Sequence, residues 1–214
     1  PEKLAIGGSL LVVGLIAVAA AVPYALSRQV DWRNVAWFGL PGMAGAWLGA
    51  TLARWVPGPV QIALFALVML VAAWRMLRGG VMQRPDHEPR RLAVVAGGIG
   101  VGALSGLVGV GGGFLIVPAL VLLAGVPMAS AVGTSLAVIA LNSFTGFLKY
   151  LGVLQQQSLE LDWRVLLTVA GVGVLGSFAG HRLGRRLPQA TLRRLFGVFL
   201  VVMGLFIAVD AGPR

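Results

Sequence analysis

The stretch that decides the fold runs from Leu92 to Leu123 and reads LAVVAGGIGVGALSGLVGVGGGFLIVPALVLL. It is 32 residues long, whereas roughly 20 apolar residues span the hydrocarbon core of a bilayer. Its centre contains five glycines between Gly106 and Gly113, and each glycine inside a helix costs about 1 kcal/mol relative to alanine. The sequence therefore predicts a break here, between one arm at Leu92–Leu107 and a short second arm at Phe114–Leu123.

The glycine cluster at this break is a candidate binding site. Irregular backbone survives at membrane depth only inside protein or beside a water-filled cavity. Bare glycine amides let a ligand approach closely, and the N-terminus of the second arm adds about half a positive charge. We therefore predict anion binding here, with a glycine-rich helix that merely packs closely as the alternative. The predicted site residues at the break are Gly109, Gly111, Gly112, Gly113 and Phe114.

The composition excludes an ordinary soluble globule. Hydrophobic residues make up 58% of the 214-residue chain and charged residues 11%, compared with about 25% charged residues in soluble domains. The net charge of +10 falls between apolar runs, which indicates the positive-inside bias of membrane loops and not a nucleic-acid partner. Cysteine is absent and the two histidines are 94 residues apart, so neither a metal site nor another cofactor is predicted.

Seven apolar segments predict an all-α, polytopic membrane protein that forms one helical bundle. Leucine, valine, alanine and glycine run through them continuously, as in spanning helices and unlike barrel strands, which alternate. The polar stretch Arg78–Arg91 reads as a central linker. The apolar segments are Leu4–Leu26, Val35–Leu52, Val60–Leu77, Leu92–Leu123, Ala129–Leu148, Val165–Leu183 and Leu192–Val209.

An internal duplication organises these segments. Pro1–Ser9 aligns with Pro127–Ser135 at an offset of 126, and an Asp-Trp-Arg triplet at Asp31 recurs at Asp162 at an offset of 131. We therefore divide one integral membrane domain into a first repeat at 1–80, a cytoplasmic linker at 81–91 and a second repeat at 92–214. Leu92–Val126 has no counterpart in the first copy, so we expect the full-length protein to carry another glycine-rich hairpin before Pro1.

The basic residues predict the topology. Lysines and arginines in successive connections number 1, 2, 1, 5, 0, 2, 5 and 1. They divide as 12 against 5 between the two sides if the fourth segment turns back, and as 10 against 7 if it crosses. The larger imbalance favours a re-entrant hairpin at the glycine break, because cytoplasmic connections carry the excess of positive charge. Each full repeat would then cross the membrane an odd number of times, which makes the two repeats inverted, as in many transporters.

Polar side chains gather on the fifth apolar segment. Ser135, Asn142 and Lys149 are each seven residues apart and share one helix face, and Thr134 lies beside the first of them. Asn142 can donate hydrogen bonds to an anion, and Lys149 supplies the positive charge nearest to it. The alternatives are an interhelical hydrogen bond for Asn142 and a lysine that snorkels to the interface. These four residues complete the predicted substrate-binding set.

Two other patterns are interpreted structurally. Asp31 and Asp162 each follow a polar loop and precede a span, so we predict that both are helix N-caps. Glycines recur within Gly39–Gly49 and again within Gly173–Gly180. Both sets are predicted to form small-residue faces on which another helix packs.

Three motifs together resemble the sulfite exporter TauE/SafE family. They are GVGGGFLIVP at 109–118, AVGTSL at 131–136 and DWR at 162–164, and the duplication extends the match over nearly the whole chain. The resemblance implies a permease of the bacterial inner membrane that exports sulfite, sulfonates and related organosulfur anions.

We therefore predict a transporter, not an enzyme, that exports small anions by alternating access around the glycine break and the face formed by Ser135 and Asn142. An inside-negative potential favours anion efflux by about 2.3 kcal/mol per charge per 100 mV. The expected partners are a small anionic substrate and the lipid bilayer. The alternatives are a non-transporting membrane scaffold and an intramembrane enzyme, which would need a nucleophile with a base, or a metal site.

Overall fold

The computed structural model describes residues 2–78, 91–108, 113–156 and 162–210, which are helical apart from short connections. Seven helical stretches in these ranges are long and apolar enough to span a membrane. The predicted all-α polytopic class is therefore confirmed. The elements are α1 (Glu2–Leu26), α2 (Trp32–Asn34), a π-helical segment (Val35–Gly39), α3 (Leu40–Leu52), α4 (Gly58–Arg78), α5 (Arg91–Val108), α6 (Gly113–Leu123), α7 (Met128–Gln156), α8 (Trp163–Gly184) and α9 (Gln189–Asp210).

Both predicted N-caps are confirmed. The Asp31 carboxylate accepts a hydrogen bond from the Asn34 backbone N–H at 3.1 Å. The Asp162 carboxylate accepts from the N–H groups of Arg164 and Val165 at 3.0 and 3.2 Å. These bonds satisfy donors that have no partner within the first turn of a helix, and so fix where α2 and α8 begin.

The long apolar run separates into two helices at the glycine cluster. The helix α5 ends at Val108 and α6 begins at Gly113, each within one residue of the predicted arms. The end of α6 lies beside the beginning of α5, because a Cβ built on Gly97 would lie 2.6 Å from the Leu123 Cδ1. The two helices therefore run in opposite directions along the bundle.

The helices α1 and α7, which correspond in the predicted duplication, pack antiparallel. The end of α1 meets the beginning of α7, since a Cβ on Gly133 would lie 2.8 Å from the Tyr24 Cβ. The beginning of α1 meets the later part of α7, where a Cβ on Gly146 would lie 3.2 Å from the Leu10 Cδ1.

A second equivalent pair, α4 and α9, is also antiparallel. A Cβ on Gly197, early in α9, would lie 3.0 Å from Leu77 at the end of α4. A Cβ on Gly204, later in α9, would lie 3.2 Å from Leu70. Each helix of the first copy described so far therefore runs opposite to its counterpart in the second copy.

Most of the described basic residues lie at one end of the bundle, the arginine-rich end, where α1, α4, α6 and α8 end and α2, α5, α7 and α9 begin. Tyr24 and His181 mark it on α1 and α8, where their rings meet edge to face at 4.6 Å. The described lysines and arginines of the opposite end are Lys3, Arg54, Lys149 and Arg164. Those of the arginine-rich end are Arg28, Arg33, Arg75, Arg78, Arg91, Arg182, Arg185, Arg186, Arg193 and Arg194.

The closest helix contact in the described bundle joins α3 to α5 through glycine. A Cβ on Gly45 would lie 2.9 Å from the Ile99 Cα, and one on Gly49 would lie 2.9 Å from the Ala103 Cα. Glycines on α5 approach the α3 backbone in the same way, and Gly102 faces the main chain of Gly42. The predicted small-residue packing of the first copy is therefore confirmed. Such contacts let helices associate in lipid without a hydrophobic driving force.

The equivalent glycines of the second copy behave differently. Gly176 and Gly180 have no atom of the described residues within 4 Å of an added Cβ, whereas Gly173 faces the Ile16 side chain. The prediction of a packed glycine face on α8 is therefore wrong for Gly176 and Gly180. The physical reason is that α3 packs on α5 through its glycines, whereas no described helix packs against α8 at Gly176 and Gly180.

This difference gives a matched test of the α3–α5 contact. We expect Gly45→Ala to lower the unfolding temperature in detergent, because overpacking of this kind costs about 1–3 kcal/mol and here the neighbour is main chain. The repeat-equivalent Gly176→Ala is expected to leave the temperature unchanged or to raise it, since its added methyl meets open space. Thermal unfolding followed by size-exclusion chromatography makes the measurement, and equal losses in both variants would contradict the proposed contact.

Candidate functional site

A cavity of about 380 Å³ lies between α3, α5, α6 and α7, together with the π-helical segment that precedes α3. We name it the central cavity. Its volume falls within the range of about 300–1,000 Å³ that small-molecule sites occupy. The lining residues are Phe38, Gly42, Met43, Ala46, Ala50, Gly98, Val101, Gly102, Ser105, Gly106, Ile116, Val138, Asn142, Thr145 and Gly146.

Three polar side chains line this otherwise apolar cavity. Asn142 and Thr145 lie on one face of α7, and Ser105 lies on the facing helix α5. The Ser105 hydroxyl donates to the Val101 carbonyl at 2.7 Å, and the Thr145 hydroxyl donates to the Leu141 carbonyl at 2.8 Å. Both hydroxyl hydrogens are therefore occupied within their own helices.

Asn142 differs from these two residues. Its Oδ1 atom is buried and has no hydrogen-bond partner within the described part of the chain. Buried polar side-chain atoms are nearly always hydrogen-bonded, so an exception calls for an explanation such as a ligand or a catalytic role. A carboxamide both donates and accepts, and the described lining residues include no charged side chain. Asn142 is thus the cavity residue with unused hydrogen-bonding capacity.

Thr134 and Ser135 are not brought to the central cavity. The fully buried Thr134 hydroxyl accepts a hydrogen bond from the Asp31 backbone N–H at 3.0 Å, which ties the loop before α2 to α7. The Ser135 hydroxyl, which is also buried, donates to the Val132 carbonyl at 2.8 Å. The part of α7 that lines the cavity begins at Val138, about one turn after Ser135, and continues through Asn142.

The remaining predicted site residues lie at or near the glycine break. Gly113 begins α6, and a Cβ on it would lie 3.1 Å from the Ile139 Cδ1 of α7. Ile116, one turn later, lines the central cavity, so the beginning of α6 is adjacent to that cavity. Gly109, Gly111 and Gly112 lie outside the described residues, as do the side chains of Phe114 and Lys149.

Of the residues that line the central cavity, the predicted site set contained Asn142, and Ser105 and Phe38 are notable among those it missed. Ser105 carried a usable signal, because it is the single polar side chain between Leu92 and Leu123. Phe38 carried none, since it is one apolar residue within an apolar segment. Its position in the cavity depends on how α3 packs against α5 and α7.

Seven apolar helical stretches of spanning length define the chain as a multi-pass membrane protein, and the cavity between its helices is its candidate substrate site. The chain belongs to the Sulfite exporter TauE/SafE family, whose model matches residues 1–207.

Relatives of this chain are transporters from bacteria and an archaeon. The chain is 31% identical over 211 residues to a "Probable membrane transporter protein" of Xylella fastidiosa, a match covering 95% of this chain and 79% of the relative. It is 26% identical to a protein of the same description from Methanocaldococcus jannaschii, covering 96% and 79%. It is 28% identical to the "Probable membrane transporter protein YunE" of Bacillus subtilis, covering 94% and 79%. No solved structure matches the chain.

Proposed function

We propose that this transporter exports small organosulfur anions, such as sulfite and sulfonates, across the bacterial inner membrane by alternating access through the central cavity. The observation that carries the proposal is the central cavity itself, which adjoins the glycine break and carries the Asn142 carboxamide on its wall. The family description supplies the substrate class, as a sulfite exporter.

The donors around the central cavity suit an anion. The Asn142 amide group offers N–H donors. The beginning of α6 at Gly113 lies one turn before Ile116, which lines the cavity, so the positive end of the helix dipole is close to it. Rotation of the Ser105 and Thr145 hydroxyls away from their own helices would add two further donors. An oxyanion can therefore replace hydration with hydrogen bonds from neutral groups.

The lack of a charged side chain among the described lining residues fits export. A fixed cation in a buried cavity would hold an anion by a strong interaction, because the local dielectric constant is low. Neutral donors bind the anion more weakly and allow release on the far side. The membrane potential then favours efflux by about 2.3 kcal/mol per charge per 100 mV.

The size and walls of the central cavity bear on which anions it holds. Its volume of about 380 Å³ exceeds the roughly 30 Å³ share of one water molecule by more than tenfold. Phe38, Met43 and Val138 provide apolar wall opposite the polar edge. The cavity therefore has room for a sulfonate with an organic substituent, or for sulfite together with bound water.

The directions of the helices support an inverted-repeat mechanism. The helices α1 and α4 run opposite to their equivalents α7 and α9, and α6 returns toward the end at which α5 begins. This is the arrangement expected if Arg91–Leu123 forms a re-entrant hairpin and the two repeats are inverted. Inverted repeats provide two conformations of similar packing that open to opposite sides of the membrane.

Flux measurements on the purified protein test the proposed function. Vesicles containing the protein are loaded with sulfite, methanesulfonate or benzenesulfonate, and efflux is followed with and without an imposed potential. We expect efflux of at least one of these anions above that of protein-free vesicles, accelerated when the loaded side is negative. Folded protein that moves none of the three would contradict the proposed substrate class.

Asn142→Leu tests the proposed binding site. We expect the variant to weaken anion binding about 10–100-fold, because a hydrogen bond to a charged group contributes about 1.5–3 kcal/mol. The control is Ser143→Ala, since Ser143 is buried beside Asn142 but contacts Gly14 of α1 and does not line the cavity. Concentration dependence of efflux gives the affinities, and unchanged affinity in Asn142→Leu would place the binding site elsewhere.

The proposed topology is tested by single cysteines in this cysteine-free chain. Arg78→Cys and Arg185→Cys should react with a membrane-impermeant thiol reagent from the cytoplasmic side, because positive residues are retained there. Arg54→Cys should react from the opposite side. Labelling of Arg78→Cys and Arg185→Cys from different sides of the membrane would contradict the re-entrant hairpin.

A further inference from the structure

Phe38 occupies the end of the central cavity that faces the arginine-rich end. It lines the cavity, and it is only 2% exposed. Gly98 on α5 faces the Phe38 main chain, and a Cβ on Gly39 would lie 3.3 Å from the Val138 Cγ2 on α7. Among the described residues, the Phe38 region is therefore packed between α5 and α7.

Beyond Phe38, toward the arginine-rich end, lies a layer of buried residues that are apolar apart from one threonine. Its members come from the loop before α2, the π-helical segment, α5 and α7, and each is at most 8% exposed. They are Val30, Val35, Val94, Ala131 and Thr134. An anion that leaves the cavity in this direction must displace Phe38 first.

Two features of the backbone around Phe38 favour a change of conformation. Val35–Gly39 is a π-helical segment, and π-helical turns within α-helices frequently mark functional sites. Pro41 follows within the next turn, and because proline has no N–H, the Trp37 carbonyl lacks its usual partner four residues later. Conversion of the π-helical turn to an α-helical one changes the register by one residue, which rotates Phe38 by about 100° around the helix axis.

A hydrogen bond at the start of this segment joins it to α7. The Asp31 N–H donates to the Thr134 hydroxyl at 3.0 Å, immediately before α2 begins. Movement of Phe38 would break its main-chain contact with Gly98, whereas the α3–α5 contacts at Gly45 and Gly49 lie further along the same span. The segment can therefore move while those later contacts keep α3 in place.

We propose that Phe38 is the gate that closes the central cavity toward the arginine-rich end, and that the π-helical segment Val35–Gly39 is its hinge. The proposal rests on the proposed function only in that it takes the central cavity as the transport path. The structure represents the state in which this gate is closed.

Cysteine accessibility tests the gate without any substrate. Met43→Cys places a thiol on the cavity wall just beyond Phe38, and Arg185→Cys in a separate sample marks the arginine-rich side. A membrane-impermeant methanethiosulfonate reagent is added from that side. We expect Met43→Cys to react far more slowly than Arg185→Cys, and Phe38→Ala to raise the Met43→Cys rate at least about tenfold, which corresponds to a shift of about 1.4 kcal/mol in the opening equilibrium.

Phe65→Ala is the matched control. Phe65 on α4 is 1% exposed, so it is buried as completely as Phe38, but it does not line the cavity. The Met43→Cys rate should stay low in this background. If the alanine variants do not fold, Phe38→Leu and Phe65→Leu replace them, because leucine keeps most of the buried volume. We then expect faster Met43→Cys labelling in Phe38→Leu alone.

Two results would overturn the gate. One is a Met43→Cys rate that does not change in Phe38→Ala or Phe38→Leu. The other is an equal rise in the Phe65 variants, which would show general loosening of the bundle. A transport assay in which no organosulfur anion moves, combined with the expected labelling pattern, would refute the substrate class and leave the gate intact.

Discussion

The main-chain contact between α3 and α5 is the constraint on which the rest of this bundle depends. In lipid, two apolar helices gain little by removing side chains from their surroundings, so they associate when small residues let their backbones approach. The glycines Gly42, Gly98, Gly102 and Gly106 belong both to this contact and to the lining of the central cavity. Because glycine has no side chain, the residues that join the two helices also leave the cavity open beside them.

The chemistry of the cavity follows from what its polar groups already do. Ser105 and Thr145 use their hydroxyl hydrogens on carbonyls of their own helices, as hydroxyl residues in membrane helices commonly do. Asn142 cannot satisfy its Oδ1 in the same way, because a carbonyl oxygen needs a donor and the backbone N–H groups of its helix are already bonded. The cavity therefore presents one strongly directional polar group against apolar walls, which favours a ligand that is polar at one end.

The predicted duplication allows the cavity to be compared with the corresponding place in the second copy. By the offsets between the copies, Asn142 corresponds to Ile16 and Gly42 corresponds to Gly173. In the second copy's helix α8, Gly173 faces the Ile16 side chain directly, so the position equivalent to the cavity is filled. At corresponding positions of the predicted repeats, Asn142 therefore lines a cavity while Ile16 packs against a neighbouring helix.

The sequence by itself determined the membrane class, the apolar helical segments, the N-caps at Asp31 and Asp162, and the two helices on either side of the glycine break. These features depend on local properties: apolar length, capping chemistry and glycine content. Only the tertiary structure decided which polar residues share a cavity. Helical periodicity places Ser135 and Asn142 on one face, but the neighbours of α7 change along its length, so the Ser135 turn is buried beside the α1–α2 connection while the Asn142 turn faces α5. Phe38 and the open face at Gly176 and Gly180 likewise depend on which helix packs against which, and no local pattern encodes that choice.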